Sequence, residues 1–417
     1  MKKKYGLIFM ILIFFPYITP ISTGVDTQPW ALIFSMIVFI YSMLENNFGV
    51  NKQLVVSLLI ALIATFSFVF YFLAGFSTII EGIRSLLGYW SLFFIPYTTI
   101  KYKDRMDGKY LKIFCYIWVC VALIQYFIYP DFGISIMNRL WRSGNRGVTA
   151  LAPEPAWLGR WGVFVIIIND YFKMNKLINS KDYGIVFAIC ILLIFLSASG
   201  MGIAWLSVYL VLRLLVEILY KKSIKNVIIT ILSMLAFSFM FLQIPMFSNS
   251  RAGILIRMFL ENPSSLKIFA GVTLRLGNPI RAFYGGLIVM RGLGFGIGST
   301  ILSDTLLPQW LIDTLSITGI DIYWGGRVRG GLVSFVYELG IIGLVYIAYI
   351  LFIFIKPIVI GNKKKIKEHI ICFYGGLLII FASQFIEGSM MNPLFSFVLG
   401  LNMIYLKENR KKLKKPV

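Results

Sequence analysis

The stretch Arg142-Ser-Gly-Asn-Arg146-Gly-Val-Thr-Ala-Leu-Ala-Pro153-Glu154-Pro155-Ala-Trp157 holds two guanidinium groups and one carboxylate in a loop shaped by glycine and stiffened by two prolines. Arg160 follows in the next apolar segment, about 6 Å along a helix at about 1.5 Å per residue. Arginine's planar fork grips phosphate oxygens in pairs and stays charged at every accessible pH. A carboxylate beside such groups can take a proton from a hydroxyl. Anion binding with a general base at Glu154 is therefore one reading. An internal Glu154–Arg160 ion pair is the other.

A second arginine set lies further along, at Arg251, Arg257, Arg275, Arg281, Arg291, Arg327 and Arg329, followed by Glu338. The cations are sorted by type. Segments 131–155 and 247–331 hold ten of the 15 arginines but only Lys267 of the 25 lysines. Bilayer orientation rules disfavour cations on the outer side and do not distinguish arginine from lysine. A phosphate- or pyrophosphate-bearing ligand would explain the sorting. Pairing with lipid headgroups or with Glu261, Asp304, Asp313 and Asp321 is the plainer alternative. Glu338 follows Arg327 and Arg329 closely enough to face the same vestibule.

Other constellations are excluded or neutral. Gly292-Leu-Gly294-Phe-Gly296-Ile-Gly298 resembles a dinucleotide fingerprint, but no strand–turn–helix context surrounds it. It reads as irregular backbone at membrane level, with 283–303 as a re-entrant element. Glu81 with Arg84, and Arg213 with Glu217, are spaced to neutralise each other on a helix. Cys115, Cys120, Cys190 and Cys372 read as buried small apolar residues. The one histidine, His369, leaves no basis for a zinc site.

The elements that position these groups are membrane helices. The 417 residues are 59% hydrophobic and 14% charged, outside the range of soluble domains and disordered chains. Apolar runs occur at 5–22, 29–44, 53–74, 78–98, 110–129, 156–172, 184–198, 199–219, 226–246, 332–355, 370–386 and 390–406. The expected fold is an all-α, polytopic integral membrane protein of about 12 transmembrane helices with one large outward-facing loop. Lysine placement sets both termini and segments 45–52, 99–109, 173–183, 220–225 and 356–369 in the cytoplasm. The net charge of +22 then reflects basic cytoplasmic loops, not nucleic acid. The layout is 1–246 with nine helices and a short outer loop at 131–155, 247–331 as the large outer loop, and 332–417 with three helices and a basic tail. Within the large loop, 251–261 and 306–320 read as amphipathic helices.

Four stretches resemble the Wzy-type O-antigen polymerase and O-antigen ligase superfamily. Arg146 to Trp157 is similar to its Arg-Gly…Glu-Pro loop, and Leu196-Ser-Ala-Ser-Gly200 to its Ser-x-Ser hairpin tip. Leu274-Arg275 to Gly298 is similar to its arginine and Gly-x-Gly-x-Gly stretch. Glu338-Leu-Gly340-Ile-Ile-Gly343 is similar to its Glu-x-Gly-x-x-Gly span. Together they cover about 140 to 355. The resemblance implies a membrane glycosyltransferase that polymerises undecaprenyl-pyrophosphate-linked repeat units into O-antigen or another surface polysaccharide. It would act at the outer face of the bacterial cytoplasmic membrane. No nucleotide sugar, metal or other cofactor is implied. Expected partners are the lipid-linked glycans, membrane lipids, and chain-length regulator and flippase proteins. On this reading Glu154, Arg275 and Arg281 are catalytic. Arg142, Arg146, Arg160, Arg291, Arg327, Arg329 and Glu338 bind substrate. Two departures stand out: Gly200 and Met201 follow the hairpin tip where arginine is usual, and no histidine occurs in the large loop. The second favours the polymerase over the ligase branch. A lipid-linked oligosaccharide flippase and an O-antigen-type ligase are the alternatives.

Overall fold

Several helices begin where a side chain can cap them. Asn51, Thr78, Asp107 and Asn179 each accept a bond from the backbone N–H two or three residues on, relieving donors that a helix start leaves unmatched. In the computed structural model of the chain, these caps open α3 (Lys52–Leu73), α4 (Ile79–Lys101), α5 (Gly108–Phe127) and α7 (Ser180–Leu196). The other helices are α1 (Lys2–Phe14), α2 (Trp30–Leu44), α6 (Pro155–Met174), α8 (Gly200–Val216), α9 (Pro279–Val289), α10 (Val333–Leu339), α11 (Ile341–Ile360), α12 (Glu368–Ile386) and α13 (Pro393–Leu413). The structure describes residues 2–19, 27–46, 49–137, 147–216, 279–299, 308–310, 331–360, 368–386 and 388–413, with single positions at 218, 228, 232, 254, 257 and 261. Among these residues no strand occurs; two isolated bridges, Ile18 to Met137 and Ser77 to Ser299, are the extent of β pairing.

The chain divides into two compact units, each assembled from separated segments. One comprises 1–28, 104–263 and 357–380, and the other 29–103, 264–356 and 381–417. In the first, α7 packs on α5 and α6, and α8 packs on α6. Trp118 and Trp161 stack at 4.3 Å, and both indole N–H groups donate to the carbonyl of Phe14, at 3.2 and 3.0 Å. In the second unit α4 is the hub, lined by α2, α3 and α13. Gly400 of α13 lies against Thr99 and Pro96 of α4.

Two expected spans differ from the structure. The first apolar run reaches residue 22, but α1 ends at Phe14. Pro16, which has no N–H to donate, follows at once, and the two tryptophans take up the last carbonyl of the helix. The run 332–355 forms two helices separated at Gly340, which has φ 56° and ψ −126°. A side chain disfavours that backbone geometry, and an added Cβ would stand 2.0 Å from the carbonyl oxygen of Gly292.

The apolar residues cover more than the interior needs. Large side chains stand on outer faces of α2, α3 and α5, including Leu44 at 78%, Phe66 at 74%, Leu73 at 78% and Phe127 at 74% exposure. Helices α3 and α5 have the length and apolar composition to cross a bilayer. Within each unit, helix ends that lysine placement assigns to the same side meet one another. In the first unit Gly108 packs on Leu177, and the Lys112 ammonium bonds Asp182 at 2.7 Å. In the second, Lys101 donates to Ser42, Tyr349 to the carbonyl of Gln53 at 3.0 Å, and Asn402 to that of Ile353 at 2.8 Å.

Candidate functional site

In the first unit the site grows from the N-terminus of α6. Glu154 occupies the cap position in extended conformation, with Pro155 in the first turn. That proline's fixed φ suits a helix start, and its missing N–H costs nothing there. The Glu154 side chain makes no capping bond and is half-buried, whereas Leu151, Ala152, Pro153 and Pro155 around it are buried. The helix terminus favours negative charge at this point. One turn on, Arg160 is 4% exposed, its guanidinium 5.9 Å from the centre of the Trp157 ring. Trp157 is braced edge-on by Tyr17 at 5.4 Å.

The hairpin tip between α7 and α8 meets this loop. The N–H of Val148 donates to the carbonyl of Leu196 at 2.9 Å, and Gly147 lies against Leu196 and Ser197. Behind it the backbones of Gly159 and Gly202 touch. The Ser197 and Ser199 hydroxyls are spent within the tip: Ser197 donates to the Ile194 carbonyl at 2.6 Å, and Ser199 accepts from the Gly202 N–H at 3.2 Å.

In the second unit the glycine run is a packed strap. Residues 294–299 are buried. The N–H of Phe295 donates to the Tyr337 carbonyl at 2.7 Å, that of Gly296 to Glu338 at 3.0 Å, and that of Ile341 to Gly292 at 2.9 Å. Gly294 has φ 75°, and a Cβ there would stand 2.6 Å from the backbone of Glu338 and Gly340. The N–H groups of Phe295 and Gly296 are thus spent on α10, and that of Gly294 on the Gly286 carbonyl of α9 at 3.3 Å. The Phe295 and Tyr337 rings stack at 4.6 Å.

Glu338 departs from the expectation that it faces an open vestibule. It is 2% exposed, and both carboxylate oxygens accept hydroxyl bonds, from Ser85 at 2.8 Å and Tyr89 at 2.9 Å. The carboxylate is desolvated only because those donors replace water. Arg281 of α9 is 4% exposed, while Arg291, at φ 51° in the turn after α9, is exposed. Arg142, Arg146, Arg275, Arg327 and Arg329 lie outside the described residues, as do most of the amphipathic stretches 251–261 and 306–320.

Three groups of residues escaped the sequence reading. Gln125, inside an apolar run, binds the backbone of the Glu154 loop. Ser85 and Tyr89 hold Glu338. Asp170, fully buried in α6, accepts from the hydroxyls of Tyr183 at 2.8 Å and Tyr209 at 2.5 Å. An acid or amide at such depth was itself the available signal, because a lone polar group there is costly. Arg213, paired by spacing with Glu217, has its guanidinium 4.7 Å from the Phe187 ring and 5.9 Å from that of Tyr183; Glu217 is outside the described residues. Glu81 and Arg84 form the expected ion pair at 3.1 Å. Among the described residues no three His, Cys, Asp or Glu side chains gather as metal ligands.

No family profile, curated protein or solved structure matches the chain.

Proposed function

We propose that this protein is a multi-pass membrane polysaccharide polymerase that transfers glycan between undecaprenyl-pyrophosphate carriers at the outer face of the bacterial cytoplasmic membrane. The observation that carries the reading is the pairing of the four family-like stretches. More than 40 residues of sequence separate the bonded residues of each pair, yet each stretch finds another. The Arg-Gly…Glu-Pro loop lies on the Ser-Ala-Ser-Gly tip through Val148 and Leu196, and the Gly-x-Gly-x-Gly strap lies on the Glu-x-Gly-x-x-Gly span through Phe295 and Tyr337. The exposed apolar faces of α2, α3 and α5 support membrane insertion, since an apolar surface that is costly against water is at home against lipid. The sorting of helix ends supports an orientation with both termini in the cytoplasm.

In the proposed reaction the hydroxyl of an acceptor repeat unit attacks the anomeric carbon of the donor. The carbon–oxygen bond to pyrophosphate breaks, and undecaprenyl pyrophosphate leaves with the bonding electron pair. Glu154 takes the hydroxyl proton. Arg275 and Arg281, with Arg142, Arg146, Arg160, Arg291, Arg327 and Arg329 as further cations, offset the charge growing on the leaving group. Glu338 is reassigned from substrate contact to holding the strap.

The test is purified full-length protein in lipid nanodiscs supplied with lipid-linked repeat units, with product length read on gels. Wild type is expected to make long chains. Arg275→Lys is expected to make few, because lysine keeps the charge and loses the fork. Full activity in Arg275→Lys would refute two-toothed pyrophosphate recognition there, and a wild type that forms no chains would end the polymerase reading.

A further inference from the structure

Gln125 sits in the last turns of α5, where the neighbouring side chains are apolar, and is 2% exposed. Its amide meets backbone at every turn. The Nε2 group donates to the carbonyls of Phe132 at 2.8 Å and Ala150 at 2.9 Å. The Oε1 atom accepts from the N–H of Ala150 at 2.8 Å and of Thr149 at 3.2 Å. One side chain thus satisfies four backbone groups in two segments, three of them buried at Thr149 and Ala150, a task water or another strand would otherwise perform. Ala150 is held at φ 48°, a conformation an alanine rarely takes alone. Four residues later the chain reaches Glu154.

We infer that Gln125 is the positioning residue of the outer site: its amide locks the 147–152 loop so that the Glu154 carboxylate stands at a fixed point beside Trp157 and Arg160. The inference rests on Glu154 being the acceptor-activating group proposed above, but the clamp itself is a statement about geometry. Leucine at 125 fills similar space and leaves all four backbone groups without the amide. Glutamate, buried and protonated, restores an acceptor and one O–H donor. The loop should therefore loosen most in Gln125→Leu and less in Gln125→Glu.

The experiment uses full-length protein in nanodiscs, with the four native cysteines replaced by alanine and Glu154→Cys as reporter. The rate of labelling by an impermeant maleimide is measured with Gln125, Gln125→Glu and Gln125→Leu. The rate is expected to rise by at least about tenfold in Gln125→Leu, since even one of the four lost hydrogen bonds implies about that factor, and to lie between the two in Gln125→Glu. Equal rates in the folded variants would overturn the clamp; if Gln125→Leu does not fold, Gln125→Glu decides. In parallel, Gln125→Glu with Glu154 intact is expected to lower kcat of chain growth with KM little changed. A labelling response in a protein that polymerises nothing would remove the functional reading and keep the clamp. Polymerisation by wild type with no labelling response would do the reverse.

Discussion

Glu154 and Glu338 are two carboxylates that the sequence reading set at an arginine-rich outer site, and the structure treats them in opposite ways. Glu154 stands half-buried at a helix start, on a loop held by a neutral amide that does not touch it. Glu338 is buried, with both oxygens committed to hydroxyls and its backbone committed to the glycine strap. A carboxylate that must accept a proton from an incoming hydroxyl needs an oxygen within reach. Glu338, with both oxygens committed to hydroxyls, serves as an anchor, and in the proposed reaction Glu154 is the acid that takes the proton. Two acids of equal chemistry thus differ in their burial and in the donors supplied to them.

The sharpest way to break this contrast is at the strap. Gly294→Ala would set a Cβ 2.6 Å from the backbone of Glu338 and Gly340 in a left-handed conformation. A loss above about 4 kcal/mol is expected, seen as failure to recover folded protein from detergent extracts. Recovery at wild-type level would mean that the strap is not a rigid part of its unit. Next, Glu154→Gln is expected to leave folding and lipid-carrier binding intact while slowing chain growth about 10²- to 10⁴-fold, the usual worth of a general base. An active Glu154→Gln protein would move the base elsewhere.

Glu338→Leu is expected to cost about 2 kcal/mol, because the Ser85 and Tyr89 hydroxyls lose their acceptor. Glu338→Gln should cost less, since those hydroxyls can turn to accept from an amide. Both are readable in thermal melts of nanodisc samples. Chain growth abolished in a fully folded Glu338→Gln would make the anchor a catalyst and dissolve the distinction. The smallest effect concerns Asp182, whose carboxyl is held below its ordinary range by the bond from the Lys112 ammonium. A depressed acid stabilises the fold above its unfolded pKa, and that contribution fades as pH falls through the folded value. Asp182→Asn should flatten the acid limb of stability in melts from neutral to strongly acid pH, with little change at neutral pH in high salt.

Much of the helical layout was legible because a helix needs only local information. Asn51, Thr78, Asp107 and Asn179 announce helix starts, and the apolar run between Lys52 and Leu73 is long enough to call itself a helix. The break at Gly340 was less visible. Its cause is the strap, some 45 residues away in the chain, whose backbone occupies the space where a continuous helix would run. Gln125 was missed for the same reason: an amide in an apolar run advertises that it has a partner but not which one. Pairing by spacing worked for Glu81 and Arg84, one turn apart on a single helix. It did not anticipate the aromatic faces around Arg213, which come from another helix.

Composition, the order of apolar runs, and the separation of arginine from lysine were all set by the chain itself, since each is a property of residues and their near neighbours. Tertiary packing alone decided which acid is buried, which glycines are structural, and what holds the Glu154 loop. Those outcomes depend on hydrogen-bond partners brought from distant segments, and a buried polar group has the meaning its partners give it.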